Sequence, residues 1–303
     1  MVVTFLCFLL SGIPSHGEPD FLCMFWNVEN FFEAKPHFSD KCNGIAKTVM
    51  LVADEFGRMP DLIGLAEVEN LRAVQKLVFR TALRKLDYGI IHYDSPDRRG
   101  IDCALLYRRS RFRPIFSKPC HLPDSTGRPL PTRDILLAVL VPGEAAGLPA
   151  MPVAVLVNHH PSKVGKGSDG RRELAMARLL ALRDSLLAEG ISRIIAIGDF
   201  NDEVTPARSV TPAYPEGAGT IKFQGRWEKI DGCPVLEGLE AREHIFAPPH
   251  LSTRDTRFSG TKPLRTFSGP RYLGGLSDHY PIILELEFVP ENTPKREHTF
   301  EKK

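Results

Sequence analysis

The 303-residue chain is long enough for one large domain or two small ones, and a 43% hydrophobic content can supply a core. Its 39 basic and 37 acidic residues leave a formal charge of only +2, which excludes the global basic field that drives tight non-specific nucleic-acid binding. Six cysteines without a CxxC pair, with Cys23 and Cys103 inside apolar runs, point to neither a structural zinc nor a disulfide framework.

In residues 1–17 an apolar stretch followed by small residues has the look of a secretory h-region and cleavage region, but an early Lys or Arg is lacking. The run is too short to span a bilayer, so it reads either as a weak signal or as an ordinary chain start, and export stays open. No later segment reaches transmembrane length, so stable membrane insertion is not expected. Residues 18–290 are expected to form a single domain, with 291–303 a charged, frayed tail.

The apolar run 21–26 ends at Asn27, followed by Glu29 and Asn30, and reads as a buried strand with a polar tip. Ile45, Val49, Val52 and Phe56 fall at helical spacing, and Gly57 and Pro60 stop that helix. Run 62–66 is a second buried strand with the exit Glu67-Val68-Glu69-Asn70, and Asn70 can cap a helix carrying Leu71, Val74, Leu77 and Val78. Segments 88–93 and 101–107 read as paired strands joined by a Pro/Gly loop that holds Arg98 and Arg99. Arg108, Arg109, Arg111 and Arg113 read as surface charge. Strands at 135–141 and 153–157 follow, the second ending in Asn158-His159-His160-Pro161-Ser162-Lys163. Ala175, Leu179, Leu182 and Leu186 mark a helix over 171–188, stopped by Gly190. The run Ile194-Ile195-Ala196-Ile197 is a buried strand leading into Gly198-Asp199-Phe200-Asn201-Asp202, which taken alone is as well read as an Asx turn. Beyond 202, scattered Pro and Gly disfavour helices; a hairpin is expected from 220–223 and 227–230 around Gln224-Gly225, ending at Asp231. Ser277-Asp278-His279 precedes a closing strand over 280–289, where Pro281 suits the first residues.

Collected, the polar residues at strand tips are Asn27, Glu67, His159, Asp199, Asn201, Asp231, Asp278 and His279. Carboxylate and amide oxygens suit a hard cation such as Mg²⁺, with Mn²⁺ as substitute, whereas zinc would favour His and Cys at tight spacing. Glu69 competes with Glu67, because strand alternation sends both to one face, and His160 competes with His159. Arg98, Arg99 and Lys163, with Lys166, Arg171 and Arg172, lie in or just after loops expected at the same end, where they can meet phosphate oxygens.

Five motifs in order (Trp26-Asn27-Val28-Glu29-Asn30, Leu65-Ala66-Glu67-Val68-Glu69, Asn158 to Lys163, Gly198 to Asp202 and Ser277-Asp278-His279-Tyr280-Pro281) run across residues 25–281. In these the chain resembles the endonuclease/exonuclease/phosphatase superfamily, which includes DNase I, and its pattern is similar to bacterial secreted endonuclease-like members. The resemblance implies an α/β (α+β) fold of DNase I type, a four-layer α/β/β/α sandwich of two mixed β-sheets packed face to face with helices outside. It also implies roles. Glu67, Asn27 and Asp278 would hold the metal, Asp199 would deprotonate the attacking water, and Asn201 would fix the water or a phosphate oxygen. His279, oriented by Asp231, would stabilise charge on the phosphorus oxygens, and His159 would donate to phosphate or leaving group. Gly232-Cys233-Pro234 departs from the family's apolar continuation and leaves the pairing of Asp231 with His279 open. The expected activity is hydrolysis of phosphoesters by direct attack of water, of endonuclease-type phosphodiesterase character, since no nucleophile elbow is present. A phosphomonoesterase acting on a sugar, inositol or nucleotide phosphate is the alternative, and a non-catalytic phosphate-ligand-binding protein is the alternative of another class. The expected partner is a phosphoester substrate, nucleic acid included, bound by a monomer.

Overall fold

The structure is a computed structural model that describes residues 18–124, 126–163 and 168–289. The expectations for 1–17, for 291–303 and for Lys166 fall outside the described residues. In chain order the strands are β1 (Phe21–Phe31), β2 (Leu62–Val68), β3 (Tyr88–His92), β4 (Asp102–Arg108), β5 (Phe112–Cys120), β6 (Ile135–Pro142), β7 (Val153–His159), β8 (Arg193–Asp199), β9 (Val210–Pro212), β10 (Ile221–Phe223), β11 (Arg226–Glu228), β12 (Asp231–Glu237), β13 (Leu239–Ile245), β14 (Ser252–Arg254), β15 (Thr261–Pro263), β16 (Phe267–Ser268), β17 (Arg271–Tyr272) and β18 (Ile282–Phe288). The α-helices are α1 (Phe38–Phe56), α2 (Leu71–Arg80) and α3 (Ser168–Ala188).

Two mixed sheets carry the fold. One is ordered β3-β4-β2-β1-β18-β13-β9 and the other β12-β8-β7-β6-β5. Alternation along β1 explains how they layer: Phe21, Cys23 and Phe25 enter the core between the sheets with Val155, Val157, Ile195 and Ile197, whereas Leu22, Met24 and Trp26 face α1 and α2. On the far side Leu137, Leu156, Ile194 and Ala196 pack under Ala175, Leu179, Leu182 and Leu186 of α3. The four-layer sandwich implied by the sequence is therefore the observed fold. At its centre the sheets approach so closely that a Cβ on Gly64 would stand 3.0 Å from Ile197 Cδ1 and 3.2 Å from Val157 Cγ1, which accounts for glycine inside a buried strand.

Asn70 caps α2 as its sequence suggests, its Oδ1 accepting the Ala73 N–H at 2.9 Å. Asn70→Ala should therefore lower stability by about 1 kcal/mol in urea unfolding while leaving the m-value unchanged.

Three expectations change. β5, β9, β13 and β14 to β17 lie where no strand was expected. Asp231 does not end the β10–β11 hairpin segment but begins β12, which runs on to Glu237. Cys233 and Pro234 lie where the β12–β8 register shifts, between the pairs Gly232–Gly198 and Val235–Ala196, so a bulge absorbs the proline and the strand continues. The arginines after β4 are more than surface charge: Arg111 Nε donates to fully buried Asp61 at 3.2 Å, and Arg108 lies 3.8 Å from the same carboxylate. Among the described residues no helix is long and apolar enough to cross a membrane.

Candidate active site

Parallel pairing of β1 with β2 and of β7 with β8 brings their carboxyl ends, Asn27, Glu67, His159 and Asp199, to one edge of the sandwich. Antiparallel pairing adds the amino-terminal starts of neighbouring strands. Asp231 sits opposite Asp199, and Ile282, three residues after His279, sits opposite Phe25. A cleft of about 170 Å³ results, lined by Asn27, Glu67, His159, Asp199, Asn201, Asp278 and His279, and also by Glu29, Asn30, Arg99, Arg133, Ser162 and Arg265.

The backbone is bent to make this edge. Glu29, Asn30, Glu67 and Asn201 all have left-handed φ, between 45° and 63°, a conformation that non-glycine residues hold only when the surroundings impose it. At Glu67 the pairings on both sides of β2 shift register, and this bulge decides between the two glutamates. Glu67 lines the cleft, with Oε2 accepting the Asn30 N–H at 2.7 Å and Oε1 3.3 Å from Arg99. Glu69 Oε2 instead accepts the Glu33 N–H at 2.6 Å. The simple alternation that put both on one face fails because Glu67 is left-handed.

Asp199 is held on both carboxylate oxygens. Its Oδ2 accepts from Asn27 Nδ2 at 3.0 Å, its Oδ1 accepts the Asn201 N–H at 2.9 Å, and His159 Nε2 and His279 Nε2 stand 3.6 and 3.9 Å from Oδ2. Burial, and then the neighbouring charge of Asp231, push its pKa up to about 7. His279 Nδ1 donates to Asp231 Oδ2 at 2.8 Å. Burial disfavours the imidazolium, but Asp231, then Asp199 and Asp278, outweigh it and hold the pKa well above the ordinary histidine value. The pairing that Gly232-Cys233-Pro234 left open is thus made, because the bulge begins only after Asp231.

His159 has the opposite character: burial, then Arg133 and Arg99, hold it well below the usual range, so its ring is neutral. Its Nδ1 and the Oδ1 of Asp231 are buried without a hydrogen-bond partner, and such orphans concentrate where a ligand or water completes a site. His160 faces away from the cleft. Its ring packs edge-on against Phe200 with centroids 4.8 Å apart, its N–H donates to the Asp199 carbonyl at 2.8 Å, and its carbonyl accepts from Asn201 Nδ2 and Arg133.

The basic residues sort unevenly. Arg99 reaches Glu67 and Asn30, but exposed Arg98 does not line the cleft. Lys163 Nζ lies 2.6 Å from Glu228, and Arg172 pairs with Asp169 and Asp202 outside the cleft. Two arginines were missed. Arg133, buried, bridges Asp97 (3.3 Å) and the His160 carbonyl (2.6 Å). Arg265 donates from Nε (3.0 Å) and one terminal nitrogen (2.8 Å) to Glu29 Oε1, and lies 3.0 Å from Asp278. Below them Lys41 donates to the Glu29 carbonyl and to Thr266 Oγ1. Burial lowers its pKa to about 8, against the raising charges of Glu29, Glu67 and Asp278. An adjacent Arg-Asp pair before β6 was the one signal for Arg133; Arg265 sits in a loop with no pattern to mark it.

Solved structures share this architecture at low identity. An endonuclease/exonuclease/phosphatase family protein from Bacteroides thetaiotaomicron superposes with a TM-score of 0.61 at 14% identity, covering 89% of this chain and 98% of that one. A mannosyl-6-phosphatase from the same organism gives 0.59 at 16%, over 88% and 100%. Truncated TDP2 of Caenorhabditis elegans gives 0.56 at 16%, over 89% and 98%. A sequence comparison with curated proteins finds no match. The sequence profile of the Endonuclease/Exonuclease/phosphatase family matches residues 26–211 and 207–288, nearly all of the sandwich and every residue of the cleft, and the chain belongs to that family of phosphoester hydrolases.

Proposed function

We propose that this protein is a Mg²⁺-dependent phosphodiesterase of endonuclease type, with Mn²⁺ as substitute, which cleaves a P–O bond by direct attack of water. The observation that carries this reading is the buried Asp199 carboxyl, poised near neutrality by burial and Asp231 and held by Asn27 and the Asn201 N–H. A carboxylate so held can take a proton from water as the oxygen approaches phosphorus. His279, kept charged by Asp231, donates to a non-bridging oxygen as negative charge grows. His159, neutral, offers an N–H to the phosphate or leaving oxygen, and Arg99 and Arg265 flank the anion.

The donor set fits a hard cation. Glu67 and Asp278 offer carboxylate oxygens to one cleft, the Asn27 Oδ1 accepts the Glu29 N–H at 3.0 Å and keeps a second lone pair for an ion, and Glu29 lines the same cleft. Ligand atoms of Asp199, Asp231 and His279 also converge within 4.8 Å, but a protonated imidazole has no lone pair to give, so that trio handles protons and the cation belongs with Glu67 and Asp278. Bound there, the ion would polarise a phosphoryl oxygen and neutralise developing charge.

Purified protein assayed with Mg²⁺ or EDTA on bis-p-nitrophenyl phosphate, p-nitrophenyl phosphate and plasmid DNA tests the reading. Diester turnover should vanish in EDTA and return with Mg²⁺ or Mn²⁺, and His279→Ala should lower kcat by about 10²–10³-fold with little change in KM. Preference for the monoester would favour a phosphatase instead, an activity that the name of the similar mannosyl-6-phosphatase makes worth including. Turnover indifferent to metal would remove the reading altogether.

A further inference from the structure

Beside the cleft lies a second hollow of about 380 Å³, and Arg265 belongs to the wall of both. Its other walls come from the β10–β11 turn and from the loop between β14 and β15, with Lys222, Phe223, Arg257, Phe258 and Lys262 facing it. Four cations thus surround a single acid, Asp255. That acid is spent on the scaffold: its Oδ1 accepts the N–H groups of Arg257 (3.2 Å) and Phe258 (3.1 Å), and its Oδ2 lies 3.4 Å from Lys222. Lys262 Nζ stands 3.6 Å from the same carboxylate, so one acid is shared by two ammonium groups, and positive charge is left over at the rim, where Arg257 is exposed and Lys262 half-exposed.

The walls are built rather than fortuitous. Lys222 Nζ crosses from the hairpin to donate to the Thr261 carbonyl (3.2 Å) and the Ser259 carbonyl. Gly225, at φ 83°, sits so close to the Phe258 ring that a Cβ would meet it at 2.8 Å. Phe258 therefore braces the turn, and glycine there serves both the left-handed backbone and the contact. Above this brace stands Phe223, 59% exposed, the most exposed of the large apolar residues among the described residues and one that packing does not account for.

Resting on the phosphodiesterase reading, we propose that this hollow is a substrate subsite for a single-stranded polynucleotide: it takes the phosphate adjacent to the scissile one, and a base stacks on Phe223. Cations that track the backbone next to an exposed aromatic ring are the arrangement such strands require, because only an unpaired base offers its face. A near-neutral chain can bind a polyanion in this way through local charge alone.

The test compares the parent protein with Phe223→Ala and with an Arg257→Ala/Lys262→Ala double variant, using a short oligothymidylate and bis-p-nitrophenyl phosphate as substrates in Mg²⁺. Each variant should raise KM for the oligonucleotide about tenfold and leave both constants for the small diester unchanged. The double variant should also flatten the salt dependence of oligonucleotide KM. Unchanged oligonucleotide KM in both variants, with the small diester still turned over, removes the subsite and leaves the phosphodiesterase reading intact. A parent inactive on both diesters removes the phosphodiesterase reading. Anisotropy with labelled oligothymidylate then decides the subsite alone: weaker binding by the variants supports it, and equal binding ends it. A duplex bound more tightly than the single strand would also end it.

Discussion

Asp199→Asn should lower kcat on bis-p-nitrophenyl phosphate by roughly 10³–10⁴-fold, more than any other single substitution in the cleft, because the amide keeps the shape and loses the base. In the parent protein kcat/KM should climb with pH and level off above about 7, where Asp199 has ionised. The descending limb should lie well above the ordinary histidine range, because Asp231 keeps His279 protonated there. Stability runs the other way. With Asp199 at about 7 in the folded chain and an ordinary aspartate value of 3.8 in the unfolded one, the folded protein holds a proton that the unfolded chain has released between those values. The free energy of unfolding therefore falls as pH rises through that window. The Asn variant has no such proton to lose, so at pH 8 it should melt no lower than the parent. A kcat within tenfold of the parent would remove Asp199 from the role of base.

Lys229→Met should be the most destabilising of these variants, by about 3–5 kcal/mol or on the order of 10 °C in Tm. Lys229 Nζ lies 2.6 Å from Glu243, which is fully buried on β13 and also accepts from Tyr214 (3.0 Å) and from the Cys233 N–H (3.1 Å). Removing the ammonium strands a carboxylate in the core. Adding Glu243→Gln, which restores neutrality and can still accept from Tyr214, should recover most of the loss, and failure to recover would mean that the ammonium matters for shape more than for charge. Because Lys229 also donates to the Asp231 carbonyl at 3.2 Å, the single variant should lose turnover even where it remains folded.

The cleft was legible where a strand runs toward it. Asn27, Glu67, His159 and Asp199 each end an apolar run, and such runs are visible in a single sequence. Residues that enter at the start of an antiparallel strand have no apolar run before them to mark them, and Asp278 and His279, ahead of β18, were legible through their Ser-Asp-His motif instead. Arg133 precedes β6, which reaches this edge by pairing Leu136 with Val157, and Asp231 passed for the end of a hairpin for the same reason. β5 escaped because Pro114 and Pro119 interrupt it, which an edge strand tolerates. β13 escaped because Glu243 faces inward and breaks the apolar face, its charge met by Lys229 on the short segment between β11 and β12. Backbone hand was invisible too: nothing at Glu67 signals φ 63°, yet that angle separates it from Glu69.

The left-handed backbone at Asn30, Glu67 and Asn201 also sets a direction for laboratory evolution. Each costs about 1 kcal/mol or more that glycine would largely relieve. A library of this gene screened only for survival after heating should enrich glycine at positions 30, 67 and 201. The survivors would be sturdier and inert, having discarded the side chains that the bent backbone exists to present.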